Sequence, residues 1–145
     1  MAFNEAAFSV KRYEVTCIGT TTTPLTTGVA VKLDNIGSGK VAPGYYPSVS
    51  VAGKGDDVFG VVSTPITTRI TNALTGQGPV ALLISGGTIP VLMNKTAMKG
   101  DLIFVATADG KWGKAMAGDR AQAKLLEDVA AAGDLAWAIA LDRSV

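Results

Sequence analysis

Along this chain apolar positions recur at every second residue in short runs, and glycine, proline and threonine separate the runs. VKRYEVTCI, from Val10 to Ile18, alternates Arg12, Glu14 and Thr16 with Tyr13, Val15 and Cys17, which predicts a first strand. GTTTTPLTTG then reads as a long loop, dense in threonine and holding Pro24, which has no N–H to give to a ladder. VAVKLD (29–34) predicts a second strand, ended by the turn-rich NIGSGK. YYPSVSV (45–51) and DVFGVVS (57–63) bracket AGKGD and read as a hairpin in which Gly53 or Gly55 supplies a positive φ. TPITTRITNALTGQG (64–78) has little periodicity and reads as an exposed excursion. PVALLIS and TIPVLM, joined by Gly86 and Gly87, read as another hairpin, and DLIFVAT (101–107) pairs with KWGKA (111–115) across ADG.

DRAQAKLLEDVAAA (119–132) fits two periods at once. Asp119 with Gln122 matches a capping box, Ala121, Leu125 and Val129 lie at helical spacing, and Gly133 stands where a helix C-cap would. Yet Ala121, Ala123 and Leu125 also alternate with Gln122 and Lys124, as in a strand. The last run, DLAWAIALD, puts Leu135, Trp137, Ile139 and Leu141 on one face, with alanines between them. Seventeen glycines and six prolines among such runs predict an all-β chain. Its 145 residues suit one domain, divided into an N-terminal arm (1–9) and a single β domain (10–145).

Charge and composition narrow the function classes. The 13 basic and 12 acidic side chains nearly cancel, and no like-charge run exceeds Lys11-Arg12 or Asp56-Asp57. A surface that tracks phosphates would cluster its Lys and Arg, so no nucleic-acid partner is expected. Hydrophobic residues make up 48% and charged residues only 17%, so exposed apolar area is expected, of the kind that suits binding partners. A single cysteine, Cys17, allows no internal disulfide. MAFNEAAFSV lacks the basic and apolar regions of a secretory signal, and the longest apolar run, LAWAIAL, is far short of a spanning helix; a soluble chain with no membrane partner is expected.

The chemical motifs fail on inspection. IGSGKV suggests a phosphate loop, but Asp34 stands where the first glycine belongs and Val41 where Ser or Thr would bind magnesium. TAMKGD resembles the lysine hairpin of biotin carriers, but Gly100 replaces the second methionine. With no histidine and one cysteine there is neither a Ser-His-Asp triad nor a zinc site. Adjacent carboxylates such as Asp56-Asp57 and Glu127-Asp128 point to opposite faces of a strand. No catalytic, metal or cofactor-binding residue is assigned, and the chain is not expected to be an enzyme. Trp112 and Trp137, flanked by small residues, are core or interface anchors.

VFGVVS, VALLISGGTIPVLM, MKGDLIFVATADGKW and LLEDVAAAGDLAWAIAL follow one another in an order that resembles the head-decoration, or cement, proteins of tailed bacteriophages, over residues 57–142. The resemblance implies a small β-barrel-like or β-tulip domain, here with an extended N-terminal arm and long Thr-rich loops. Its partner would be the major capsid protein. It would bind the outer surface of the assembled head as a homotrimer at three-fold or quasi-three-fold positions, after synthesis in the host cytoplasm, and brace neighbouring capsomers. The resemblance also favours a strand at 121–126. The loop at 20–28 and the excursion at 64–78 depart from the family pattern. The candidate partner-interface residues are Phe3, Phe8, Arg12, Tyr13, Tyr45, Tyr46, Arg69 and Trp112. The two phenylalanines precede the first strand and suit an arm that docks on a neighbouring subunit. The alternative reading is a particle-surface adhesion or carbohydrate-binding β-module, with Tyr45, Tyr46 and the Thr loops forming a cleft.

Overall fold

A computed structural model describes residues 13–19, 25–34, 47–63 and 76–141. The described residues form ten strands and no helix: β1 Glu14–Gly19, β2 Ala30–Leu33, β3 Ser48–Val51, β4 Gly60–Val62, β5 Gly76–Leu82, β6 Thr88–Leu92, β7 Leu102–Val105, β8 Trp112–Lys114, β9 Ala123–Leu125 and β10 Leu135–Ala140. The first five close into a barrel in the order β1-β3-β2-β4-β5, and the last five form a second sheet in the order β6-β10-β9-β7-β8. All strand pairs are antiparallel except β1 with β3. The outer strands of the second sheet are tied as well. A parallel bridge joins Met93 to Trp112, and the Leu92 N–H donates to the Gly28 carbonyl. Strand edges covered this way offer little to edge-to-edge pairing.

Two cores follow from the two-residue period. Cys17, Leu25, Val31, Val49, Val62 and Val80 fill the barrel. Their neighbours Ala30, Val61 and Ala81 point the other way, into a larger core with Ile89, Val91, Met93, Ile103, Val105, Trp112 and Leu125 of the second sheet and its extensions. β2, β4 and β5 are therefore apolar on both faces. That is why VAV, GVV and PVALL read as continuous apolar runs rather than clean alternations.

Two expected hairpins do not form. β2 lies between β3 and β4, with Val31 opposite Val51 on one side and Gly60 on the other. β5 pairs with β1 and β4, whereas β6 pairs with β10, so the Gly86 turn carries the chain from the barrel to the second sheet. Turn chemistry reports that the chain reverses; it does not report which strand fills the neighbouring slot. The hairpin across ADG does form, with Val105 opposite Trp112. The loop before β2 contributes to the core, because Leu25 is buried in the barrel.

One local device recurs four times, in GKGD (53–56), MKGD (98–101), MAGD (116–119) and AAGD (131–134). In each, the aspartate N–H donates to the carbonyl three residues back, at 3.0, 3.0, 2.9 and 3.2 Å. The aspartate carboxylate in turn accepts that residue's N–H, at 2.8, 2.9, 2.9 and 3.1 Å. The glycines Gly55, Gly100, Gly118 and Gly133 have φ of 90, 89, 91 and 89°, the third-position conformation of a type II turn, which L side chains resist. Asp119 and Gly133, which match helix caps in sequence, both serve these turns. The segment between them holds β9, within the strand expected at 121–126.

Candidate functional site

β10 sets the character of the accessible surface. Ala136, Ala138 and Ala140 face the core, and Leu135, Trp137 and Ile139 face outward. Residues directly paired across strands share a face. Ile139, Lys124 and Leu102 therefore form one outward row, with the pair Leu92–Leu135 alongside, whereas Thr88 and Pro90, the β6 partners of Ile139 and Trp137, are buried. Phe104, two residues beyond Leu102, joins the same face. Leu135 is 51% exposed and Leu102 46%, and Trp137, Ile139, Leu92 and Phe104 are partly buried. Methionines extend apolar area beyond the sheet: Met98 and Met116, each the first residue of a Gly-Asp turn, are exposed. The alternation of LAWAIAL was legible in the sequence. That its small face would pack inward was not, because period two alone does not name the buried side.

Two concavities border the barrel. The first is an apolar groove of about 420 Å³ that includes Leu33, Phe59, Leu83 and Ile84, with Lys32 and Asp57 among its polar residues. The second, about 380 Å³, lies between the Gly53–Asp56 and Met116–Asp119 turns and includes Phe104. Asp56 anchors the wall between them. Its carboxylate accepts the Gly53 N–H and an ion pair from Lys32 at 3.2 Å, and these hold it below the usual carboxylate range, the backbone bond contributing most. Asp109, at the β7–β8 turn, is lowered first by the Thr107 hydroxyl and further by Lys111. Cys17 is buried in the barrel, and burial pushes its thiol up to about 11, so it is not a reactive nucleophile. No group of three or more Asp, Glu or Cys suited to a metal occurs among the described residues.

Of the candidate interface residues, Tyr13 and Trp112 lie among the described residues. Tyr13 is 40% exposed at the start of β1; its carbonyl accepts the Leu82 N–H and its ring lies beside Gly87. Trp112 corrects the expectation of a partner contact. It is fully buried between the barrel and the second sheet, where β7, β8 and the Met93 bridge enclose it, and it offers no surface. Phe3, Phe8, Arg12, Tyr45, Tyr46 and Arg69 lie outside the described residues. The outward residues of β7 and β10 were missed; the cue was the alternation of LIFV and LAWAIA around glycine and alanine neighbours.

The fold is all-β, a closed five-stranded barrel joined to a second five-stranded sheet. No protein-family model and no curated protein matches the chain. Among solved structures the fold is shared with the gp8.5 N base of the head fiber in bacteriophage phi29, with a TM-score of 0.63 at 10% sequence identity. The match covers 89% of this chain and 93% of that one. At that identity the likeness is one of fold.

Proposed function

We propose that the chain is a phage head-associated binding protein, and more specifically a decoration or cement protein on the outer surface of an assembled head. The observation that carries this reading is the nearly full-length fold likeness to the base of a phage head fiber, joined to the order of motifs that resembles head-decoration proteins. The protein acts by binding rather than by catalysis. Its partners are the major capsid protein and further copies of itself, in a homotrimer at three-fold or quasi-three-fold positions, with the 1–9 arm reaching a neighbouring subunit.

The outward face of the second sheet is the surface best suited to such contacts. The three strands whose outward residues are accessible, β10, β9 and β7, at about four residues per strand give a patch of roughly 14 Å by 14 Å, about 200 Å². A standard interface buries about 800 Å² per partner, so one such face is too small for a stable pair in dilute solution. Many copies on one shell make weak contacts effective through multivalency. Binding the assembled lattice better than loose capsomers then stabilises the assembly by mass action. Cryo-electron microscopy of heads mixed with the purified protein tests this: added density is expected on the outer surface at three-fold positions. Leu102→Asp, on an exposed apolar position, is expected to remove that density while the fold survives. Heads without added density at saturating protein would refute the reading.

A further inference from the structure

We propose that the cleft between the Gly53–Asp56 and Met116–Asp119 turns is a binding site for a neutral saccharide. Its volume, about 380 Å³, is at the lower end of small-molecule sites and admits one or two pyranose rings. Phe104 on β7 contributes its ring; the residue opposite it on β8, Gly113, brings no side chain of its own, and Asn94 and Ala106 fill the space beside that glycine. Lys54 Nζ stands 5.4 Å from the ring centroid. At an exposed site this is the weakest form of cation–π contact, readily exchanged for the C–H face of a sugar.

The polar residues that line the cleft with Phe104 are of both signs and of both hydrogen-bonding senses. Asp57, Asp119, Arg120 and Gln122 line the cleft with Lys54. Asp119 is held through Oδ2 by the Met116 N–H at 2.9 Å, which leaves Oδ1 as an acceptor. Gln122 Oε1 accepts the Val105 N–H at 2.9 Å, so its amide nitrogen remains a donor of known orientation. The Gln122 backbone is fixed on both sides, its N–H donating to Ile103 and its carbonyl accepting from Leu141. A phosphate or sulfate would meet Asp57 and Asp119 as well as the cations. Vicinal sugar hydroxyls, each both donor and acceptor, instead need acceptors beside donors, with an aromatic ring under the apolar face. Both turns that border the cleft are Gly-Asp turns closed by two hydrogen bonds, so the Asp56 and Asp119 carboxylates are presented with little freedom to lose on binding.

The proposal does not depend on attachment to a head, and its test uses the purified full chain. Amide resonances are followed while the neutral sugars maltotriose, cellotriose and chitotriose, and the acidic sialyllactose as a control, are each titrated to ~10 mM. At least one is expected to shift the amides of Phe104 and of residues 118–122, with a Kd of ~1 mM or tighter. Phe104→Ala and the exposed Arg120→Ala are each expected to weaken that binding at least ~10-fold, about 1.4 kcal/mol, whereas Leu102→Asp leaves it unchanged. No shift with any of the three neutral sugars, undiminished binding by Phe104→Ala or by Arg120→Ala, or binding of sialyllactose alone would each overturn the assignment.

Discussion

Gly28 joins the two halves of the molecule, and replacing it with alanine separates close approach from backbone strain. Its N–H donates to the Val62 carbonyl in β4 at 2.8 Å, and its carbonyl accepts the Leu92 N–H in β6 at 3.0 Å. Its φ is +87°, and an added Cβ would lie 2.5 Å from the Leu92 nitrogen and 2.6 Å from Leu135 Cδ2. Gly100 is the matched control: its φ is +89°, and an added Cβ would meet nothing within 4 Å. Positive φ costs an L residue about 1–2 kcal/mol, which is the whole expected effect of Gly100→Ala. Gly28→Ala adds a clash with strand backbone, which cannot swing aside as a side chain end does, for about 1–3 kcal/mol more. The sum, roughly 2–5 kcal/mol, is a large share of the ~5–15 kcal/mol that holds a domain folded. Urea titration with circular dichroism measures both variants, and the corresponding falls in Tm are roughly 4–20 °C for Gly28→Ala against roughly 2–8 °C for Gly100→Ala. Equal losses, within ~0.5 kcal/mol, would show that close approach at Gly28 does not matter and would refute the account of how the barrel and the second sheet are joined.

Three further outcomes are expected. Trp112→Ala removes a fully buried side chain from the shared core and costs about 3–5 kcal/mol in urea titration; a near-neutral change would return Trp112 to the list of interface residues. Asp56 has a folded-state pKa below its ordinary 3.8, so its contribution is complete above that value and is lost as pH falls through the lowered one; Asp56→Asn should flatten this acid limb of the stability curve, and an unchanged limb would remove Asp56 from the account. Deleting residues 1–9 should leave Tm nearly unchanged and weaken head binding at least ~10-fold, about 1.4 kcal/mol, in a co-sedimentation assay, and full binding by the truncated chain would end the arm proposal.

The strands were legible where one face is buried and the pattern is local. The β7–β8 hairpin follows from DLIFVAT, ADG and KWGKA, and the closing strand follows from LAWAIAL. The four Gly-Asp turns were equally available as a repeated dipeptide, because a type II turn sets its own residue requirements within four positions. The double period of 119–132 is a different case: local propensity allows both helix and strand there. The choice is made by pairing, with Ala123 between Ile103 and Ala140.

What the tertiary structure alone decided is non-local. The insertion of β2 between β3 and β4, the transfer of the chain from barrel to second sheet at Gly86, and the burial of Trp112 each depend on residues far apart in sequence. The same is true of β10, where the alternation fixes two faces and only the space between the sheets selects the alanines for the inside. The surviving outward row of Leu135, Trp137 and Ile139 thereby becomes surface, and the cleft beside Phe104 exists because two turns distant in the chain, at 53–56 and 116–119, meet across it. Hydrophobic periodicity is a property of neighbouring residues; the identity of the buried face and the walls of a cleft are properties of packing, which joins segments the sequence keeps apart.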